Sequence, residues 1–213
     1  MSILKDTQEL ISRATLKIHT ERRGDGQCVV VEDGMIITAA HCVDWNNDGG
    51  MTQGNHFLSK ISTEAGNVTG SVAAVEPVSD VAILECPDPQ TFYNESVAFD
   101  DYCDVVVPVK LALTVPKTFQ AFPVWVLTHL KTWVFGTATF NGVNSTFGYM
   151  TNVKIANGTS GGPIVNESGE LVGIVSQGTN TGENGKFTSS AALLPLALPA
   201  WVIERVKNHR NTF

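Results

Sequence analysis

The stretch Asn157, Gly158, Thr159, Ser160, Gly161, Gly162, Pro163 holds a serine among glycines and runs straight into the β-branched pair Ile164 and Val165. A serine hydroxyl is a weak nucleophile at neutral pH, so chemistry at Ser160 needs a base to take its proton and a third group to orient that base. The glycines suit the same chemistry. A backbone N–H can converge on a substrate oxygen only where no Cβ blocks the approach and unusual φ/ψ is allowed. Of the five histidines, His19, His41, His56, His129 and His209, only His41 follows an apolar run, Ile36 to Ala40. Asp80 is the one aspartate that opens an apolar strand, Val81 to Leu84. Burial of that strand shields the carboxylate and makes its hydrogen bond to an imidazole geometrically strict. His41 and Asp80 are therefore the candidate base and orienting group for Ser160, with activity expected to rise through an imidazole titration near pH ~6.5 to 7.

The serine stretch, taken with Ile36, Ile37, Thr38, Ala39, Ala40, His41, Cys42, resembles the chymotrypsin-like serine proteases. In that family the histidine closes a buried strand and the serine sits in a Gly-x-Ser-Gly-Gly-Pro turn. The order His41, Asp80, Ser160 is the family's order too. The resemblance implies a serine endopeptidase: His41 as general base and then acid, Asp80 as its partner, Ser160 as the acylated nucleophile, and the N–H groups of Gly158 and Ser160 as the oxyanion hole. It also implies a polypeptide substrate and no cofactor or metal. Leu171 to Gly178 resembles the strand beside the substrate, so Ser176, Gln177 and Gly178 are expected to bind it by strand addition, with Ser176 near Asp80.

Six residues before the nucleophile, where the resemblance puts the base of the specificity pocket, stands Lys154. A cation there favours Asp or Glu beside the scissile bond. Alternatively the lysine carries its charge to water, or pairs with Glu170 or Glu183, and a small apolar pocket results. The residue before the nucleophile is Thr159, where trypsin relatives carry an aspartate that pairs with a freshly cut N-terminal amine; no activating cleavage is expected. The hairpins at Asp33-Gly34 and at Asn166 to Ile174 resemble those of the bacterial high-temperature-requirement (HtrA) peptidases, here without a PDZ domain. In chymotrypsin relatives the cysteine after the histidine bridges to the preceding strand, which would pair Cys28 with Cys42. Four cysteines allow three pairings, and four small buried thiols is the other reading.

Two other functions compete. Gly-x-Ser-x-Gly also fits the nucleophile elbow of α/β-hydrolases, but that fold needs its acid and histidine after the serine and a helix behind it. After Ser160 come only Glu167, Glu170, Glu183, Glu204 and His209, and Pro163 to Val165 reads as strand. The second competitor is a barrel pair kept as a binding or scaffolding module after losing catalysis. The presence of every group the reaction requires weighs against it. His129, outside any constellation, is read as structural.

Composition narrows the field. With 14 basic and 21 acidic residues the net charge is −7, which argues against a nucleic-acid partner. No window reaches the ~18 apolar residues of a membrane span, and the first 15 residues lack a signal-peptide pattern, so a cytoplasmic or already processed protein is expected. The polar stretch 44–56 faintly resembles a calcium loop but lacks the closing glutamate, and ordinary turn chemistry accounts for it.

The elements that must position these groups follow from periodicity. Residues 5–14 carry a capping signal at Asp6 and Thr7 and one apolar face, predicting a short helix. Leu16 and Ile18 alternate as a strand. Val29 to Ile37 reads as two strands about an Asp-Gly turn that delivers His41. Residues 57–86 alternate into the Asp80 strand, which Pro87-Asp88-Pro89 stops. Residues 87–102 read as the crossing between halves, and Cys103 to Leu113 as the opening of the second. Trp125, Trp133, Phe135 and Phe140 read as barrel core. The hairpin from Pro163 to Val175 echoes the one before His41, suggesting a duplicated barrel. Pro199 to Arg210 reads as a closing helix. The expectation is an all-β fold of two packed six-stranded antiparallel barrels, with halves 1–102 and 103–213 and a helix at each end.

Overall fold

The computed structural model describes residues 4–20, 24–45, 58–181 and 185–212. Most of the polar stretch 44–56, with His56, and also Glu183, lie outside the described residues. Alternation of apolar residues turns the first half into β1 (Thr15–Thr20), β2 (Gly24–Val31), β3 (Met35–Thr38), β4 (Leu58–Thr63), β5 (Gly66–Glu76) and β6 (Val81–Glu85). These close into a barrel in the order β1-β2-β3-β6-β5-β4. The second half supplies β7 (Ala121–Leu127), β8 (Trp133–Thr139), β9 (Thr146–Thr151), β10 (Pro163–Val165), β11 (Leu171–Thr181) and β12 (Phe187–Leu193). They close in the order β10-β11-β12-β9-β8-β7. Read from β7, that order is β7-β8-β9-β12-β11-β10, the same circuit as the first barrel. The fold is therefore two closed six-stranded antiparallel barrels of one topology. The hairpin echo is not the reason: β10–β11 occupies the place of β4–β5, whereas β2–β3 corresponds to β8–β9.

The turn between β2 and β3 is the expected one, with Asp33 and Gly34 both at φ 64°, the sense that matches strand twist. The N-terminal helix α1 (Lys5–Ala14) buries Ile11 and Ala14 against the first barrel. Its N-cap is Leu4 with no side-chain cap bond, so Asp6 and Thr7 lie inside the helix and do not cap it. At the other end stand the four-residue α3 (Leu194–Ala197) and α4 (Ala200–Thr212), which buries Val202 and Val206.

Between the barrels, the segment Cys103 to Leu113, read as opening the second half, holds no named strand. Cys103 lies in a helix, α2 (Tyr93–Val105), and the expected boundary at 102/103 falls inside it. The chain after α2 is extended but joins neither sheet as a strand. It makes a bridge from Val109 to Val31 of the first barrel and another from Leu111 to Leu171 of the second. Val109 and Leu111 are buried while Val105 and Val107 are exposed, so the alternation is real but comes from packing along a connector.

An ion-pair cluster holds α4 beside this connector. Arg210 donates to both carboxylate oxygens of the buried Glu32 (2.7 and 2.5 Å) and to the Leu111 carbonyl (2.6 Å). Burial pushes the Glu32 carboxyl up, but Arg210 and the Leu111 N–H outweigh it and hold the group below the usual range. Arg205 reaches Asp33 (2.6 Å) and Glu85. All four cysteines are free thiols, so the Cys28–Cys42 bridge is not formed. Burial pushes the Cys28 thiol far up, consistent with an inert core group.

Candidate active site

His41 follows β3 on a single tight turn, Ala40–Cys42. Asp80 stands just before β6, which pairs with β3 through Thr38 and Ala82, so the sheet register brings the two together. Asp80 holds φ 61°, a left-handed conformation that aspartate tolerates better than most residues. Its acceptors explain why it stays there. Its carbonyl accepts the Ala40 N–H (3.1 Å), Oδ1 accepts the His41 N–H (2.9 Å), and Oδ2 faces His41 Nδ1 (2.7 Å). Oδ2 also accepts the Ser176 hydroxyl (2.7 Å), delivered from β11 of the other barrel. The carboxylate thus fixes both the backbone and the ring of His41. Its proximity pushes the imidazole up to about 10, with Cys42 adding to the effect and burial opposing it.

Ser160 lies on the turn between β9 and β10, pinned by its main chain. The Gln27 N–H donates to the Ser160 carbonyl (2.7 Å), and Cys42 Sγ lies 3.8 Å from the same oxygen. That places the turn across the barrel interface from the His41 segment. The glycines after Ser160 are sterically required. A Cβ on Gly161, at φ 77°, would stand 2.0 Å from the Gln27 carbonyl, and one on Gly162 would stand 2.5 Å from Gln27 Oε1. Their N–H groups are used, Gly161 to the Val175 carbonyl and Gly162 to the Thr159 carbonyl (2.8 Å each). The N–H groups of Gly158, at φ 86°, and of Ser160 make no hydrogen bond among the described residues. Two unpaired donors flanking a serine are what a developing oxyanion needs. The Ser160 hydroxyl itself makes no hydrogen bond to His41 among the described residues.

A cleft of about 620 Å³ opens on the His41 side, lined by Val78, Asp80, Thr146, Ser176 and Ser190 among others. A second hollow of about 360 Å³ lies on the far side of the serine turn, against Gly158, His129, Gln27 and Lys131. Gln177 pairs through its backbone with Ser190 of β12 and Gly178 continues β11, while the Gln177 side chain lies outside what the structure describes. Lys154 is exposed on the approach to the serine turn, with no ion pair among the described residues. Glu170, one partner considered for it, instead accepts the Asn166 side-chain amide (2.9 Å). No cluster of His, Cys, Asp and Glu suited to a metal is present among the described residues.

Two contributors are not marked by the sequence reading, and a third is read there only as structural. Glu76 accepts the Val78 and Ser79 N–H groups (3.2 and 2.5 Å), shaping the turn that presents Asp80; its signal was a carboxylate three residues before a buried serine. Gln27 sits behind the Ser160 turn, and nothing in its neighbours marks it. His129, read as structural, contacts Thr159 beside Ser160.

Residues 26–174 match the family model described as a trypsin-like peptidase domain. No curated protein sequence matches the chain significantly. Among solved structures, a serine endoprotease from Yersinia pestis superposes with a TM-score of 0.62 at 18% identity, covering 98% of this chain and 68% of its own. The serine protease of a human pathogenic astrovirus gives 0.54 at 21%, covering 86% and 90%. The inactive form of Rv3671c from M. tuberculosis H37Rv gives 0.56 at 14%, covering 100% and 96%. At these identities the likeness is one of fold.

Proposed function

The chain belongs to the family of trypsin-like peptidase domains, and from that premise we propose that it is a serine endopeptidase cleaving polypeptides through an acyl-enzyme on Ser160. The observation that carries the proposal is the double grip of Asp80 on His41, ring and main chain at 2.7 and 2.9 Å, set opposite a serine turn with two unpaired N–H donors. In the reaction, His41 Nε2 takes the Ser160 proton as Oγ attacks the scissile carbonyl, and Asp80 stabilises the imidazolium that forms. The Gly158 and Ser160 N–H groups receive the oxyanion. The imidazolium then protonates the leaving amine, the C–N bond breaks, and water, activated by the same imidazole, releases the second product. Ser176, by donating to Asp80, keeps the carboxylate aimed while its strand offers β11 to an extended peptide.

A rhodamine fluorophosphonate tests this directly. Ser160 Oγ bonds to phosphorus, fluoride leaves, and the hydroxyl proton passes to His41. Labelling mapped to the peptide holding Ser160, abolished in Ser160→Ala, is the expected result, together with cleavage of a quenched peptide library. A wild-type protein that neither labels nor cleaves any peptide points instead to the non-catalytic binding module.

A further inference from the structure

Thr159 separates the two proposed oxyanion donors and is fully buried, yet its side chain is a hydroxyl. A buried hydroxyl needs a partner, and His129 is the partner. The His129 N–H points to Thr159 Oγ1 at 3.3 Å and ring Nδ1 lies 3.2 Å from the same oxygen. The ring also lies against the neighbouring glycine, since a Cβ built on Gly158 would stand 3.6 Å from His129 Cγ.

His129 belongs to a tight turn joining β7 to β8. Thr128 N–H donates to the Thr132 carbonyl (3.0 Å), Lys131 N–H to the Thr128 carbonyl (2.9 Å), and Lys131 takes φ 57°. That backbone sends the Lys131 ammonium to the end of α1, where it donates to the carbonyls of Ser12 (2.8 Å) and Thr15. The last carbonyls of a helix lack intrahelical donors and carry partial negative charge, so a cation there is favoured. The backbone of this turn therefore links Lys131, seated on the end of α1, to His129 and so to Thr159.

We propose that His129 and Lys131 are positioning residues that hold the oxyanion turn through Thr159, with α1 as their anchor. The proposal rests on the reading of Ser160 as the nucleophile. Elements far apart in sequence meet here, and no catalytic step needs either side chain. What they supply is the angle of the Gly158 and Ser160 N–H groups, and hydrogen-bond donors act only when aimed at the developing charge.

The test uses the full chain and the rhodamine fluorophosphonate, comparing wild type, His129→Ala, Thr159→Val, their double variant and Lys131→Met. The maximal acylation rate kinact is expected to fall about 10-fold to 10²-fold in His129→Ala and Thr159→Val, the scale of a small misplacement at a reacting centre. KI should stay within about twofold. The double variant should be no worse than Thr159→Val alone, because that change already removes both the ring and the main-chain contact of His129. Lys131→Met should lower kinact several-fold, and His129→Asn, which keeps a side-chain polar group at the ring Nδ1 position, should recover part of the loss. Thermal midpoints read in parallel separate misplacement from unfolding. A wild-type kinact in His129→Ala, or losses that multiply in the double variant, overturns the proposal. A wild-type kinact in Lys131→Met overturns the role of α1. If the wild type itself does not label at Ser160, the failure belongs to the proposed function.

Discussion

Among the described residues, the first half of the chain pairs an aspartate with a histidine of its own in two places, and only one has the features of a candidate site. On the outer face, His19 of β1 stands between Asp25 of β2 and Ser62 of β4, with Nδ1 at 2.6 Å from Asp25 Oδ1 and Nε2 at 2.9 Å from Ser62 Oγ. Lys17 pairs with the same aspartate (2.6 Å) and, with His19, holds its carboxyl below the usual range. A hollow of about 420 Å³ even adjoins Ser62. As a side-chain chain it is more complete than His41 and Asp80, which do not reach Ser160 by a hydrogen bond. Its members are sheet neighbours, His19 opposite Asp25 and Lys17 opposite Ser62, and cross-strand polar contacts of this kind arise wherever such residues face each other. What it lacks is backbone. Ser62 sits in a strand paired on both edges, so the N–H groups around it are committed to ladders. Ser160 sits in a glycine turn with two N–H groups unpaired. The aspartates differ too: the Asp25 side chain is 48% exposed and the Asp80 side chain 20%, and only Asp80 grips the histidine main chain as well as its ring. Connected side chains are common on sheets, and free, aimed main-chain donors are what set the interface apart.

The contrast breaks first at the serines. Ser160→Ala or His41→Ala should reduce peptide turnover by on the order of 10⁶-fold, as for groups that act as a unit, with the thermal midpoint little changed. Any residual rate above background that Ser62→Ala then removes would show the surface group to be catalytic after all. The aspartates come next. Asp80→Asn should cost about 10⁴-fold in kcat, while Asp25→Asn should leave kcat and KM within about twofold, both read by steady-state kinetics on one quenched peptide.

A third effect is on pH. The proposed mechanism needs neutral His41, and Asp80 raises its pKa to about 10, so the acylation rate should keep climbing well above the ordinary histidine midpoint of ~6.5. The residue type alone predicts a rise near pH ~6.5 to 7, and a pH–rate profile separates the two expectations. Asp80→Asn should move the midpoint down. For stability the sign is the reverse: a pKa raised on folding contributes fully below ~6.5, and that contribution is lost as pH rises through about 10. The difference in melting temperature between wild type and Asp80→Asn should therefore narrow toward alkaline pH. Smallest of all, Ser62→Ala alone should change neither turnover nor labelling beyond about twofold.

Much of this was legible before any coordinates. The Asp33-Gly34 turn was readable because its two residues accept positive φ, and the Ser160 turn because its glycines permit close approach and unusual φ/ψ; what those glycines make room for, the Gln27 main chain and side chain, emerged only with the fold. The all-β character followed from alternation punctuated by turns, and the two six-stranded barrels were what the family resemblance implied. Helix α2 was not, since only Ser96 and Phe99 of it are buried and its residues show no sustained apolar face. Connector residues Val109 and Leu111 showed period-two burial without a ladder, and alternation reports the environment of an extended chain, not its partners. The contacts of Glu76, Gln27 and His129 were illegible for another reason. Each is a polar group meeting backbone or hydroxyl atoms, some as much as 133 positions along the chain, as for Gln27 and Ser160, and no periodicity encodes such meetings.

The connector between the barrels has a consequence for how the protein comes apart. Val109 donates to the Val30 carbonyl (3.0 Å), Leu111 to Glu32 (2.9 Å), Ala112 to the Leu171 carbonyl (3.0 Å), and Leu171 to the Lys110 carbonyl (2.8 Å). One short segment thus closes hydrogen bonds with both barrels, and Arg210 clamps it from α4. Neither barrel can open without breaking bonds that also order the other. The halves should therefore lose structure in a single calorimetric transition, with these four amides among the slowest to exchange their hydrogen for deuterium and exchanging at one common free energy.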